Sequence, residues 1–232
     1  MKIALCFSGQ ARSFKQGYEY YKKNLLSFYD VDVFIHTWEF PESEELIKLY
    51  NPISYVIEPA LKDNFDQIYT NTPNPHKWPA RFTVAALYSM EKSCWLKKEH
   101  EQENNFVYDW VIKSRTDYAL NLRIPFEKID SSKMYMPHCR MVPTRDFGND
   151  QFAFSSSINM DKRMTVYRNR DLFYNQGVQM IGEDMTSAQL KLHDLVGENL
   201  FYVDMNNPFP PGPHNGTPHS LIREDYEEWI KK

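Results

Sequence analysis

The stretch from Val107 to Leu122, VYDWVIKSRTDYALNL, constrains this chain more than any other. Val107, Tyr108, Trp110, Val111 and Ile112 form a run rich in aromatic and β-branched residues. Such a run fits a strand buried on both faces of a largely parallel sheet. Lys113, Arg115 and Asp117 follow at once, and a core strand does not tolerate charges of that kind. The reading is therefore a strand ending at Ile112, with three charges at the carboxyl edge of the sheet, where open α/β folds bind ligands. Asp117 is expected to meet a metal–phosphate group there, and Arg115 to meet the phosphates or orient Asp117.

The segments around this stretch predict the same architecture. Lys2–Phe7, Val31–Ile35 and Ile53–Ile57 read as strands, separated by helices at Ser13–Tyr29, with Ser13 as N-cap, and near Glu44–Tyr50. Alternation of strand and helix with short links is the signature of a doubly wound α/β layer. Residues 60–79, with Pro73, Pro75 and Pro79, read as a loop, and Ala80–Asn104 as one long helix. Phe82, Ala85, Ala86, Ser89, Met90 and Ser93 recur on it at steps of three and four, predicting a small-residue packing face. Later come strands at Lys133–Met136, in QFAFSSS and at Leu200–Val203, and helices at Ile158–Tyr174, Glu183–Leu195 and Arg223–Lys232. A polar, basic loop with His138, Arg140 and Arg145 lies between the first two of those strands.

Composition narrows the function classes. At 232 residues the chain reads as one domain, with a nucleotide-binding half over 1–120 and an acceptor half with a C-terminal tail over 121–232. A net charge of −4 with interspersed signs leaves no footprint for nucleic acid. Cys6, Cys94 and Cys139 make no CxxC pair and cannot all be paired, which argues for a reducing compartment. Ile3–Phe7 is too short for a signal peptide, and no run approaches the roughly 20 apolar residues of a membrane span. A soluble, cytoplasmic protein is the expectation. The oligomeric state is not legible.

Three strand ends carry polar clusters: Ser8–Arg12, His36–Trp38 and Lys113–Asp117. Parallel strands bring such ends to one edge. A glycine turn, an aromatic, several cations and a carboxylate suit a nucleoside diphosphate with Mn2+ or Mg2+, which favour hard oxygen ligands. No GxxxxGKS or GxGxxG is present, which argues against common NTPase and dinucleotide folds.

With CFSGQARSF, FIHTW, VIKSRTDYAL, GNDQFAFSS and GEDMTSAQL in that order over about residues 2–205, the chain resembles the small nucleotide-sugar glycosyltransferases of the GT-A fold, found in large DNA viruses and bacterial polysaccharide clusters. The resemblance implies a three-layer α/β/α sandwich with a mostly parallel central sheet. It also implies a sugar transferred from a nucleotide-diphosphate donor to a glycan or other hydroxyl acceptor. Arg115-Thr116-Asp117 stands where the family carries Asp-x-Asp, so Asp117 inherits the metal role and Arg115 replaces an acid. By the same resemblance Ser8, Gly9, Gln10, Arg12, Trp38, Lys113 and Arg115 line the donor. Asp150 holds sugar hydroxyls, Glu183-Asp184 supplies the general base through Asp184, and His214 is a further metal ligand.

Plainer readings stand beside these. Asp117 also fits a turn cap, Arg115 a surface ion pair, Trp38 the core, and Glu183-Asp184 the ordinary acid preference of a helix start. A sugar-phosphate nucleotidyltransferase, with SGQARSF as a thin signature loop, is one rival. A nucleotide- or carbohydrate-binding module without catalysis is the other.

Overall fold

The computed structural model describes residues 1–73, 76, 78–137, 149–199 and 219–221. The chain runs β1 (Ile3–Ser8), α1 (Phe14–Tyr21), β2 (Val31–Trp38), α2 (Ser43–Tyr50), β3 (Ser54–Glu58), α3 (Phe65–Ile68) and α4 (Ala80–Glu103). It continues through β4 (Trp110–Ser114), β5 (Tyr118–Leu120), β6 (Met134–Met136), β7 (Ala153–Ser155), α5 (Ser157–Met164), α6 (Val166–Asn175), α7 (Gly182–Leu192), β8 (Gly197–Asn199) and β9 (His219–Leu221).

The period-two alternation of β1 sorts its side chains between two cores. Ile3, Leu5 and Phe7 join one with Val33, Ile35 and Ile112 of the neighbouring strands, against Phe14, Tyr21, Leu46 and Tyr50 of α1 and α2. Ala4 and Cys6 join the other, which takes in residues of α4, α5, α6 and α7. The small side chains of that face let the long helix α4 lie close to β1 and β2. The result is an α/β protein whose mixed, mostly parallel sheet is flanked by helices, in the order β3-β2-β1-β4-β7-β6-β8. β1, β2, β3 and β4 are mutually parallel, β7 is antiparallel to β4 and β6, and β8 is parallel to β6. β5 pairs with β9 in a separate two-stranded ladder.

Several expectations change. The central strand does not stop at Ile112: β4 continues through Lys113 and Ser114, both buried. The helix expected over Ser13–Tyr29 gives way at Tyr21 to a π-helical turn, Lys22–Leu26. Ser13 sits at the N-cap position with φ 43° and makes no side-chain cap bond. The helix expected over Ile158–Tyr174 breaks at Thr165, whose hydroxyl bonds back to the carbonyls of Asp161 and Lys162; such back-bonding bends helices. The loop expected over 60–79 includes α3. On α4, Ser89, Met90 and Ser93 are buried as expected, but Phe82 is exposed, because the inward stripe runs through Val84, Leu87, Cys94 and Lys97 instead. The predicted Leu200–Val203 strand and Arg223–Lys232 helix lie outside the described residues. Among the described residues no helix is long and apolar enough to cross a membrane.

Candidate functional site

Strand register sets the geometry of the carboxyl edge. Ser8 pairs with His36, Phe7 with Ser114, and His36 with Val56, so the ends of β1, β2, β3 and β4 are level. Antiparallel β7 sets Ala153 beside Lys113. The Asn149–Gln151 turn that precedes β7 therefore arrives at the same edge, beside the Arg115–Asp117 turn.

The Ser8–Arg12 turn is propped from behind. Gly9 adopts φ +96°, a conformation side chains disfavour, and its N–H donates to Ser89 Oγ of α4 at 2.6 Å. That amide is engaged within the protein, not held open for a phosphate. Ser89 Oγ also lies 2.7 Å from Nδ1 of the fully buried His36, whose Nε2 lies 2.8 Å from Glu58 Oε1. Burial lowers the His36 pKa, so the ring is neutral near pH 7. Gln10 and Arg12 are exposed, and Arg12 Nε donates to Gln10 Oε1 at 3.0 Å. Trp38 is half-buried, stacked on Tyr88 with ring centres 5.8 Å apart, and Tyr88 meets Tyr167 edge-on at 5.1 Å. These rings form an aromatic shelf beside the end of β2.

Next to the turn stands a bidentate ion pair. Arg115 donates from Nε to Asp117 Oδ1 at 2.8 Å and from Nη2 to Oδ2 at 2.7 Å. Asp117 is fully buried while 28% of the Arg115 side chain stays exposed. Burial would lower the Arg115 pKa, but the bonds and charge of Asp117 outweigh it and hold it raised. The turn is clamped from the other face as well. Tyr21 Oη lies 2.5 Å from Ser114 Oγ, and a Cβ on Gly17 of α1 would overlap the Thr116 carbonyl.

Lys113 does not face outward to phosphates. It is 4% exposed, and its ammonium donates to the carbonyls of Asp150 and, at 3.1 Å, Gln151. Burial pushes its pKa down to about 7. Arg163 of α5, which nothing in the motifs singled out, is fully buried nearby and donates from Nη2 to the carbonyl of Asn149 at 2.5 Å. The signal that could have found it is spacing: Arg163 lies three residues after Met160 and one before Met164, on the buried stripe. Ser89 was legible only as a small packing residue.

The two acidic candidates separate. Asp150 is half-buried, within electrostatic reach of Lys113, Arg115 and Arg163. Its carboxylate packs so closely on Gly182, the first residue of α7, that a Cβ there would overlap it. Asp184 lies two residues on, about 200° around the helix, and lines a cavity of about 690 Å³ with Phe173, Gly177, Ser187 and Lys191. None of the edge residues named above lines that cavity. Glu183, in the same first turn, is half-buried.

For Mn2+ or Mg2+ the described residues do not build a site. Both oxygens of Asp117 are taken by Arg115, and among the described residues no group of three or more His, Cys, Asp or Glu side chains could hold a metal ion. His214, expected as a ligand, lies outside the described residues, as do His138, Arg140 and Arg145. No protein-family model matches this chain, and no curated protein matches it significantly.

Proposed function

We propose that this chain transfers a sugar from a nucleoside-diphosphate donor to a hydroxyl acceptor, as the GT-A-like resemblance implies. One observation carries the reading: a propped glycine turn, the Arg115–Asp117 pair and the Asp150 carboxylate converge at one carboxyl edge, beside an aromatic shelf. In this reading Arg12 and the exposed side of Arg115 neutralise the diphosphate, for which a guanidinium fork is well shaped. Trp38 and Tyr88 offer a ring surface to the base or sugar. Asp117 aims the Arg115 guanidinium.

The reaction forms a bond from the acceptor oxygen to the anomeric carbon as the bond to the diphosphate breaks. The hydroxyl proton goes to a carboxylate, and the nucleoside diphosphate leaves with the electron pair. Asp150 is better suited to take that proton than Asp184, because it stands beside Arg115 whereas Asp184 lines the cavity along α7.

Thermal-shift measurements with UDP-, GDP-, ADP- and dTDP-sugars, each with and without Mn2+, test the reading. Ligand at 100 times its Kd raises apparent stability by about 2.7 kcal/mol. A shift for one nucleotide family without Mn2+, followed by transfer or hydrolysis of that donor, is expected. A shift that requires Mn2+ would restore Asp117 and His214 as ligands, and no shift with any donor would overturn the reading. A second reading, a binding module without catalysis, is favoured by the full engagement of Asp117 with Arg115. Donor binding without turnover under any metal would support it.

A further inference from the structure

Two interior cations have no hydrogen-bonded carboxylate among the described residues. The Lys113 ammonium is held by the carbonyls of Asp150 and Gln151, and the Arg163 guanidinium by the carbonyl of Asn149. The other contact of Arg163 is the Met90 thioether at 3.5 Å, and its Nε has no hydrogen-bond partner among the described residues. Burial pushes Lys113 down to about 7 and Arg163 to about 10. Burying a charge is costly unless it is paired with an opposite one. Stability alone is therefore a poor reason for either cation to be here.

What they share is one target. Three consecutive carbonyls, at Asn149, Asp150 and Gln151, turn inward onto the two cations. The Asn149 side chain tightens the same turn, its Oδ1 accepting from the N–H groups of Gln151 and Phe152 at 2.9 Å each. With the carbonyls fixed, the Asp150 side chain has one place to go: against Gly182, where the first turn of α7 favours a negative charge.

We propose that Lys113 and Arg163 are positioning residues, a mount of two buried cations that grips the Asn149–Gln151 turn by its carbonyls and fixes the Asp150 carboxylate between Arg115 and the start of α7. The catalytic consequence rests on the sugar-transfer reading; the mount itself does not. Neither cation touches substrate. Their work is to remove the freedom of the turn, so that Asp150 meets the reacting groups without reorganising.

The test uses the full chain with Arg163→Met, Arg163→Lys and Asp150→Asn. Thermal unfolding, hydrogen exchange of the peptide covering 149–156, and binding and turnover of UDP-, GDP-, ADP- and dTDP-glucose are measured on each. Arg163→Met sheds a buried charge but leaves the Asn149 carbonyl without its donor, so it should melt within a few degrees of wild type, yet exchange at Gln151 and Phe152 should quicken at least tenfold. Its turnover should fall tenfold or more with nucleotide binding unchanged, and Arg163→Lys should recover part of both losses. A merely structural arginine would instead lower the melting temperature and leave exchange and turnover in step with global stability, which would overturn the proposal. So would wild-type exchange in Arg163→Met. If Arg163→Met fails to fold, Arg163→Lys decides in its place: its exchange must lie above wild type for the mount to stand. If the wild type turns over none of the four donors, the transfer reading is in difficulty, while exchange still judges the mount.

Discussion

Two regions of this protein bury a lysine, and they treat it in opposite ways. Lys97, on α4, is fully buried with Glu101 Oε2 at 2.8 Å, Asp161 Oδ1 at 2.6 Å and Ser157 Oγ at 2.6 Å. Ser157 in turn donates to Glu101, whose other contact is the Tyr108 N–H. Burial would lower the Lys97 pKa, yet the charge of Asp161 and the bonds around it hold it raised. Lys113, on β4, has carbonyls where Lys97 has carboxylates, and its pKa falls to about 7. The first lysine is a staple that ties α4 to α5. The second holds a turn at the sheet edge and is strained by its own charge. The contrast teaches that a buried cation with matched anions marks a fold contact, whereas one held by main-chain dipoles at a strand end marks a place where geometry is being enforced.

The largest expected effect tests the staple. Lys97→Met leaves Glu101 without its cation and Asp161 with Lys98 alone, 3.3 Å from Oδ2, and breaking a buried pair this way costs about 3–5 kcal/mol. Urea unfolding should show that loss, whereas Lys113→Met sheds a buried charge while leaving the Asp150 and Gln151 carbonyls without their donor, at about 1–3 kcal/mol each, so the two effects offset and its net loss should be smaller than that of Lys97→Met. Equal losses for the two variants would erase the distinction.

Asp150 and Asp184 give the next test, in rate instead of stability. On the proposed sugar transfer, loss of general-base help is worth about 10²–10⁴-fold, so Asp150→Asn should lose at least a hundredfold in turnover of whichever donor binds. Asp184→Asn should lose less than about tenfold, because its side chain lines the α7 cavity. The reverse order would return the base to Asp184.

A pH scan separates the lysines more finely. The folded pKa of Lys113 lies below its unfolded value, so between them the unfolded chain binds the extra proton and stability rises with pH. From pH 7 to 9 the gain should be about 2 kcal/mol for the wild type relative to Lys113→Met. Lys97 has a raised pKa, so its contribution is intact below its ordinary 10.5 and is lost only above it. The gap between wild type and Lys97→Met should stay flat across the same window. His36, lowered below 6.5, titrates before the window opens, and Cys6, raised above 9.0, begins to lower stability only near its top and does so in wild type and Lys113→Met alike. A flat wild-type minus Lys113→Met difference would mean that the ammonium is far better solvated than its burial implies.

The parallel half of the sheet was legible because its signals are local. KIALCF, VDVFI and VYDWVI are apolar runs with polar stops, and each is a strand within a few residues of its expected limits. The true end of β4 escapes the sequence for one physical reason. A lysine in a core strand looks forbidden until a partner 37 residues further along supplies a carbonyl, and sequence spacing does not reveal that partner. Spacing from Met160 and Met164 could place Arg163 on the buried stripe, but its partner, the Asn149 carbonyl, is hidden in the same way, and MDKRM looks at first like the exposed basic turn of any helix. That the three polar strand ends share one edge follows from parallel pairing alone. The separation of Asp150 from Asp184 does not, because it depends on the angle at which α7 meets the turn.

The smallest expected effect bears most directly on that angle. Gly182 has no positive φ and begins a helix, where alanine is intrinsically better by about 1 kcal/mol. Its Cβ would overlap the Asp150 carboxylate and must push it aside. Gly182→Ala should therefore melt within a few degrees of wild type, with Lys113, Arg163 and the Asn149 turn untouched, yet turn over the donor at least tenfold more slowly. Because the buried cations stay in place, such a loss would show that what matters is where Asp150 ends up and not that the mount exists. Wild-type turnover in Gly182→Ala would mean that the carboxylate tolerates displacement, and the catalytic consequence of the mount would fall while exchange still judges the mount itself.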